Sequence, residues 1–362
     1  MNILFLTEEG GLTGNTRSTS YLAKGLAKKG HNVWVGCKKD SLLHQFLCES
    51  DVNLEFMKFT GKLDFATIRV IRDLVRNKNI QIICPQSSAD RYLSIFANKF
   101  YKLDTNIVHT RRQKPLSSGG ALQRAFYIKN TRKIVVVSDS LKQILIDEGY
   151  PADHIEVIYN GIPEDFYIGA NDSRLKKLRQ KFRLTPENKV VGCISRLKNQ
   201  KQLVEAMQYL PDDIKLMFVG IEPGKFDSLA MQLKIENEII YAGIIDPEDV
   251  VDYYRLFDLF VLPSTMDGFG LVLVEAMGLG VPVIGTRFGG IIDVLDNQKN
   301  GLWFEDGDIK GLAGKIKSVL FDDSIRGELI ENGYIAARER FTVQKTIDNW
   351  EKFFMRIIEK KA

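Results

Sequence analysis

The apolar positions of this chain fall into short β-branched runs, separated by stretches in which apolar residues recur every three or four positions. Ile3–Leu6, Val33–Val35, Ile80–Ile83, Ile107–Val108 and Ile134–Val137 have the length and composition of buried strands. Between them, Tyr21, Leu22 and Leu26 share one helical face, with Lys24, Lys28 and Lys29 opposite. Ile68, Ile71, Leu74 and Val75 do the same against Arg69, Arg72 and Arg76. Such alternation predicts a parallel sheet with helices on both faces. The pattern then restarts with Val190–Ile194, Leu216–Val219, Ile239–Tyr241, Leu259–Leu262 and Val281–Ile284, with helical segments near 200–209, 224–235, 247–256, 270–278 and 290–296. The expected fold class is α/β: two doubly wound parallel-sheet, Rossmann-like domains facing across a cleft at the carboxyl ends of their strands. The expected ranges are 1–165 and 166–340, with 341–362 a C-terminal helix packing back toward the first domain. Asn160-Gly161-Ile162-Pro163 makes a turn at the joint, a Lys-rich helix over 171–182 follows, and 309–361 reads as three helices.

A length of 362 residues suits two such domains, and 44% hydrophobic with 27% charged residues is an ordinary globular balance. The opening MNILFLTEEG lacks the basic, long apolar form of a signal peptide and reads as a first buried strand. No apolar run is long enough to span a membrane, so the expected location is cytoplasmic, with association at the inner face of the cell membrane. Cys37, Cys48, Cys84 and Cys193 form no C-x-x-C pair and are expected to be free thiols. The net charge of +4 is uneven: residues 1–165 hold 23 Lys/Arg against 17 Asp/Glu, and 166–362 hold 27 against 29. From Thr105 to Ser138 there is no acidic residue, while Arg111, Arg112, Lys114, Arg124, Lys129, Arg132 and Lys133 are basic. This stretch is either a solvated face or a landing site for an anionic partner. Aromatics are not interleaved with it, which argues against nucleic acid.

Three turns carry candidate chemistry. Glu8-Glu9-Gly10-Gly11-Leu12-Thr13-Gly14-Asn15 follows the first strand, where glycines allow backbone N–H groups to approach a phosphate. It is neither G-x-G-x-x-G nor a Walker A loop, and a purely structural turn has the same look. Arg196 and Lys201, in Ser195-Arg196-Leu197-Lys198-Asn199-Gln200-Lys201, are spaced to reach one point at a strand end, as a diphosphate requires; two exposed cations would share the spacing. The sharpest run is Pro263 to Met277. Asp267 sits in a Gly-Phe-Gly turn and Glu275 in the apolar helix after it, two carboxylates able to accept from sugar and ribose hydroxyls. A Glu in so apolar a helix is costly unless paired. Asp306-Gly307-Asp308 is better explained by helix capping than by a metal.

Asp267 to Glu275 resembles the E-x7-E motif of the retaining family-4 glycosyltransferases of GT-B fold. Arg196-x4-Lys201 is similar to that family's diphosphate pair, and Gly10-Gly11 to its N-terminal glycine turn. Ile134–Ser138, Ile158-Tyr159-Asn160-Gly161-Ile162, Gly285-Thr286, Gly289-Gly290 and Asn300-Gly301-Leu302 follow its order along nearly the whole chain. The resemblance implies that Glu275 holds ribose hydroxyls and Asp267 donor-sugar hydroxyls. Phe269, Gly270 and Leu271 would offer backbone N–H groups, Gly11 would approach the diphosphate, and Gly243-Ile244-Ile245 would face the base. His109 would lie near the donor sugar. Asp267 departs from the family's usual Glu, which puts the donor sugar in question. The implied reaction moves a sugar from a nucleotide diphosphate-sugar, with retention, without metal or other cofactor. The acceptor would be a cell-envelope glycan or lipid-linked saccharide, such as lipopolysaccharide or polysaccharide. It would meet the first domain at Arg111, Arg112, Lys114, Arg124 and Lys129, beside an anionic membrane surface. A nucleotide-sugar epimerase of the same architecture and a non-catalytic nucleotide-sugar-binding subunit are the alternatives.

Overall fold

The computed structural model describes residues 1–11, 13–113 and 120–359. It divides into two compact units, Met1–Gly161 with Val343–Ala362, and Ile162–Thr342. The first joint falls at Gly161 instead of 165, and the chain leaves the second unit at Thr342 instead of 340. At that point a strand-like bridge pairs Ile162 with Thr342, so entry and exit lie side by side.

Among the described residues the first unit has strands β1 (Asn2–Leu6), β2 (Asn32–Cys37), β3 (Asn53–Phe56), β4 (Ile82–Pro85), β5 (Asn106–Arg111), β6 (Lys133–Val136) and β7 (Ile155–Val157), in the order β3-β2-β1-β4-β5-β6-β7. All pairs are parallel. Ile3 and Phe5 of β1 face one core and Leu4 and Leu6 the other, the period of two expected when both faces are covered. One core receives Ile68, Ile71, Leu74 and Leu93 from the helices Phe65–Asn77 and Ser88–Tyr101. The other receives Ile347, Trp350, Phe353, Phe354 and Ile357 from the last helix, Val343–Glu359. That spacing makes one apolar stripe, and Lys29 holds its polar edge through Asp348 at 2.8 Å.

The second unit has β8 (Lys189–Ile194), β9 (Ile214–Val219), β10 (Ile239–Gly243), β11 (Leu259–Leu262), β12 (Val283–Thr286) and β13 (Leu302–Phe304), ordered β10-β9-β8-β11-β12-β13. These pairs are parallel too. Val191, Cys193, Leu216, Phe218, Leu259, Val261 and Ile284 pack on Leu312, Ile316, Val319 and Leu320 of the helix Ile309–Phe321.

Each sheet has one place where the strand order reverses, between β1 and β4 in the first unit and between β8 and β11 in the second. Ligands in open α/β sheets bind beside the carboxyl ends of the strands at such points.

Candidate functional site

In the second unit, the turn after β8 is folded around Gln200, which is fully buried. Its amide nitrogen donates to Ser195 Oγ at 2.5 Å and to the Arg196 carbonyl at 2.8 Å, and its Oε1 accepts from the Lys198 N–H at 2.7 Å. Turn and sheet are then locked together. Ser195 N–H bonds to the Val219 carbonyl, and Gly220 N–H to the Gly243 carbonyl at 2.7 Å. A Cβ on Gly220 would stand 2.9 Å from the Ser195 carbonyl oxygen, so no side chain fits there. The carboxyl ends of β8, β9 and β10 therefore form one continuous rim. Beyond Gly243 the side chain of Ile244 stands 86% exposed, an apolar surface at the end of the rim, while Ile245 is half-buried.

The structure treats the two expected diphosphate cations differently from the third cation of the turn. Arg196 is exposed, and its guanidinium has no partner among the described residues. Lys201 is exposed as well and pairs with Glu205 of its own helix at 3.3 Å. Lys198, which the spacing argument passes over, has its Nζ 2.5 Å from Asp267 Oδ2, with only 15% and 20% of the two side chains exposed.

Asp267 belongs to the turn after β11. Ser264 is fully buried there and accepts from the Met266 N–H. Gly270 takes a left-handed φ of 86° and precedes the helix Leu271–Gly278, which no side chain caps. Its first N–H groups are therefore left for an external acceptor. Phe269 is buried and packs edge-on to Phe341 at 5.6 Å, so its backbone is what it can offer. The turn is backed by the segment after β12. Gly290 N–H bonds to the Asp267 carbonyl at 3.2 Å, and a Cβ on Gly290 would lie 2.0 Å from the Gly268 carbonyl oxygen. Glu275, one turn into the helix, is 3% exposed, and the Tyr254 hydroxyl donates to its Oε2 at 2.7 Å. That bond offsets the burial of the carboxylate. Tyr254 lies on a separate helix, Val250–Tyr254, and no motif points to it.

In the first unit, Gly10 and Gly11 differ. A Cβ on Gly10 would meet Ser41 at 2.4 Å, so packing explains that glycine; a Cβ on Gly11 would meet nothing. Leu12 lies outside the described residues. Thr13 caps the helix Gly14–Lys28 by accepting from Thr16 N–H. Across the switch point, Asp90 is fully buried, accepting from the N–H groups of Glu8 at 3.0 Å and Ser87 at 2.9 Å. Burial raises its pKa to about 7.

His109 is fully enclosed on β5, and neither ring nitrogen has a hydrogen-bond partner among the described residues. Its ring stands edge-on to Tyr127 at 5.5 Å. Burial first, then the charges of Arg91, Arg111 and His154, hold its pKa well below the usual histidine range, so it is a neutral imidazole.

The basic stretch does not form one exposed face. Arg112 is tied down by Ser18 Oγ at 2.6 Å, Asn160 Oδ1 at 2.9 Å and Gln86 Oε1 at 3.1 Å, and burial lowers its pKa to about 10. Arg111 donates to the Tyr150 hydroxyl at 3.2 Å, and Arg124 to the Glu148 carbonyl at 2.5 Å. Lys129 is exposed, and Lys114 lies outside the described residues. The reason is local: β5 carries His109, Thr110 and Arg111 into the interior before the chain turns. The cysteines are free, three of them buried, and burial pushes the Cys37 thiol up to about 11. Among the described residues no helix is long and apolar enough to cross a membrane.

Two doubly wound parallel-sheet units, each with a glycine-bearing turn beside its switch point, make a GT-B fold. Residues 176–336 match the model of Glycosyl transferases group 1, and residues 13–166 that of Glycosyltransferase Family 4. The chain belongs to the family-4 glycosyltransferases. It is 29% identical over 240 residues to the N-acetyl-alpha-D-glucosaminyl L-malate synthase of Bacillus anthracis, covering 64% of this chain and 62% of that protein. It is 27% identical over 241 residues to the capsular polysaccharide biosynthesis glycosyltransferase CapM of Staphylococcus aureus, covering 61% and 60%. The chain thus spans under two thirds of the length of these relatives. The crystal structure of Anabaena HepE in complex with UDP-glucose superimposes with a TM-score of 0.83 at 23% identity, over 98% of this chain and 100% of that one.

Proposed function

We propose that the chain moves a sugar from a nucleotide diphosphate-sugar to a hydroxyl of a cell-envelope acceptor, with retention of anomeric configuration and without a metal. The observation that carries this is the arrangement after β11: Asp267 and Glu275 flank the uncapped start of the helix Leu271–Gly278, with Lys198 2.5 Å from Asp267. One short segment thereby offers carboxylates for sugar and ribose hydroxyls and free N–H groups for negative charge. Arg196 and Lys201, exposed at the next strand end, supply cationic charge for a diphosphate, and the flat apolar Ile244 supplies a surface for a base. HepE, of the same fold, holds UDP-glucose, which supports a UDP-type donor.

In the transfer, the bond from the anomeric carbon to the diphosphate oxygen breaks and its electron pair leaves with the phosphate. The acceptor oxygen bonds to the anomeric carbon from the same face, and its proton passes to the departing phosphate oxygen. Arg196, Lys201 and the helix N–H groups stabilise the charge on the leaving group; such fixed electrostatics is usually the largest catalytic contribution. His109 in the first unit stays neutral and is fully enclosed, so its expected place beside the donor sugar draws no support from its burial. The first unit receives the acceptor, and the likeness to CapM, a capsular polysaccharide biosynthesis glycosyltransferase, favours an envelope polysaccharide. The protein would work in the cytoplasm against the inner membrane face.

The test is thermal unfolding with a panel of nucleotide diphosphates and their sugars, beside Arg196→Ala. Stabilisation by one nucleotide sugar, lost in the variant, is expected. An absence of stabilisation by every donor would reject the reading. Conversion of the donor to an isomer without any acceptor would move the assignment to an epimerase.

A further inference from the structure

Lys198 and Asp267 belong to two different turns of the second unit and meet at 2.5 Å. The turns follow β8 and β11, the strands that flank the switch point. Each is fixed through its backbone. The Lys198 N–H is held by buried Gln200 at 2.7 Å, and the Asp267 carbonyl by the Gly290 N–H at 3.2 Å. The buried Cys193 of β8 feels both charges. Burial pushes its thiol up, the Ser195 hydroxyl and Lys198 lower it, and Asp267 raises it. The pair therefore stands at the carboxyl end of β8, where open α/β sheets bind their ligands. Leu197 and Met266, the sequence neighbours of the pair, are each 52% exposed.

The pair uses little of its bonding capacity. An ammonium has three protons to give, and a carboxylate has two oxygens to accept with. Among the described residues Lys198 Nζ bonds only Asp267 Oδ2, and Asp267 Oδ1 has no partner. Two partly dehydrated charges joined by a single bond gain little stability from it. With 15% and 20% of the two side chains exposed, the unused groups stay within reach of a ligand. The chemistry of the pair selects that ligand. Lys198 only donates and Asp267 only accepts, whereas a hydroxyl does both. A carboxylate would satisfy Lys198 but face Asp267, and an amine would do the reverse. Two neighbouring hydroxyls in a gauche arrangement stand a hydrogen bond's length apart and satisfy both groups at once. One accepts from Lys198 and the other donates to Asp267. The exposed Leu197 and Met266 suit the apolar C–H face of a pyranose ring.

We propose that Lys198 is a specificity-determining residue for the donor: with Asp267 it reads two neighbouring free hydroxyls of a neutral sugar. This rests on the assignment of the second unit's turns to the nucleotide sugar, and it narrows the donor class. A deoxy or O-substituted sugar leaves one of the two charges without its bond, and sites built to hydrogen-bond a hydroxyl reject analogues that lack it. Arg196 and Lys201 remain the cations for the diphosphate, so the nucleotide alone does not depend on Lys198.

The full chain, Lys198→Met, Lys198→Arg and the double variant Lys198→Met with Asp267→Asn are titrated calorimetrically, well below their melting temperatures. The ligands are UDP, UDP-glucose and UDP-galactose, the last differing from glucose in the orientation of one hydroxyl. GDP with GDP-mannose, and ADP with ADP-glucose, are run alongside. In the wild type at least one sugar should strengthen binding over its nucleotide. Lys198→Met should weaken that nucleotide sugar about tenfold or more and leave the nucleotide within about twofold. The best sugar loses most, so the preference among sugars flattens. Lys198→Arg, which still donates, should keep more of the gain. The double variant holds no orphaned charge, so it folds without that strain, and it should lack the gain as well. A merely structural pair would move nucleotide and nucleotide sugar together or move neither, and either result would overturn the proposal. A wild type that binds a nucleotide but gains from none of the sugars would overturn it too and leave the nucleotide site standing. A wild type that binds none of these ligands would reject the donor reading itself and this inference with it.

Discussion

The Lys198–Asp267 pair is the contact on which the geometry of the second unit's site depends, and Lys198→Met tests it. The substitution keeps most of the side-chain volume and removes the charge 2.5 Å from Asp267 Oδ2. A fully buried pair broken on one side costs roughly 3–5 kcal/mol, and an exposed one roughly 0–1 kcal/mol. With 15% and 20% of the two side chains exposed, the pair lies nearer the buried limit but within reach of water. A loss of about 2 kcal/mol follows. For a unit of this size that corresponds to a fall of about 4–8 °C in melting temperature. The added change Asp267→Asn removes the orphaned carboxylate, so the double variant should recover about half of the loss. Thermal unfolding of wild type, both single variants and the double variant, without ligand, gives the coupling directly. Additive single effects, or a Lys198→Met melting temperature within 1 °C of wild type by this ~2 kcal/mol reckoning, would refute the reasoning. Lys198 would then be a solvated cation that merely approaches Asp267.

Glu275→Ala should weaken UDP binding by about 1.5–3 kcal/mol, roughly ten- to a hundredfold, if the carboxylate accepts ribose hydrogen bonds; unchanged affinity by calorimetry would return it to a packing role with Tyr254. Gly290→Ala and Gly11→Ala should separate cleanly. The first drives a Cβ against the Gly268 carbonyl and should lower the melting temperature sharply, while the second meets no atom and should leave stability unchanged but weaken nucleotide-sugar turnover. Asp90 has its folded pKa raised to about 7 by burial, so the folded state keeps a proton that the unfolded chain releases near pH 4. Its contribution to stability is complete below the unfolded pKa and is lost as pH rises to 7; the melting temperature of Asp90→Asn, compared with wild type from pH 4 to 8, should fall less steeply.

The sheets were legible in the sequence because buried parallel strands read as uninterrupted β-branched runs, and Ile3–Leu6, Val190–Ile194 and Leu259–Leu262 needed no context. The strands β3, β7 and β13 were not. All three end their sheets, are three or four residues long and only partly buried, and Asn53-Leu54-Glu55-Phe56 carries no pattern that separates it from a loop. The fold class followed from alternation alone, and the comparisons agree with it. Lys198 and Tyr254 were out of reach for another reason. Lys198 is one of three cations within six residues, and only the fold of the turn around Gln200 decides which of them faces Asp267. Tyr254 joins Glu275 across two helices, a pairing without a sequence spacing.

The two units also differ in the kind of inference they allow. Around Asp267, residue types and order suffice to suggest donor chemistry, because the donor's features recur as a short contiguous motif. In the first unit the decisive property is burial without a partner, and composition says nothing about it. Seven basic residues between Thr105 and Ser138 look like a surface in the sequence, yet Arg111 turns in toward Tyr150 and Arg112 toward Ser18, Asn160 and Gln86. Glycines make the same point in reverse. Gly11 has open space where a Cβ would be, but so do Gly314 and Gly327 on helix surfaces, so open space alone is no argument for a ligand. What distinguishes Gly11 is its place after β1 at the switch point, with its carbonyl held by the Thr16 hydroxyl at 2.7 Å. In both cases the argument for function comes from a local cost or freedom that the rest of the chain does not explain.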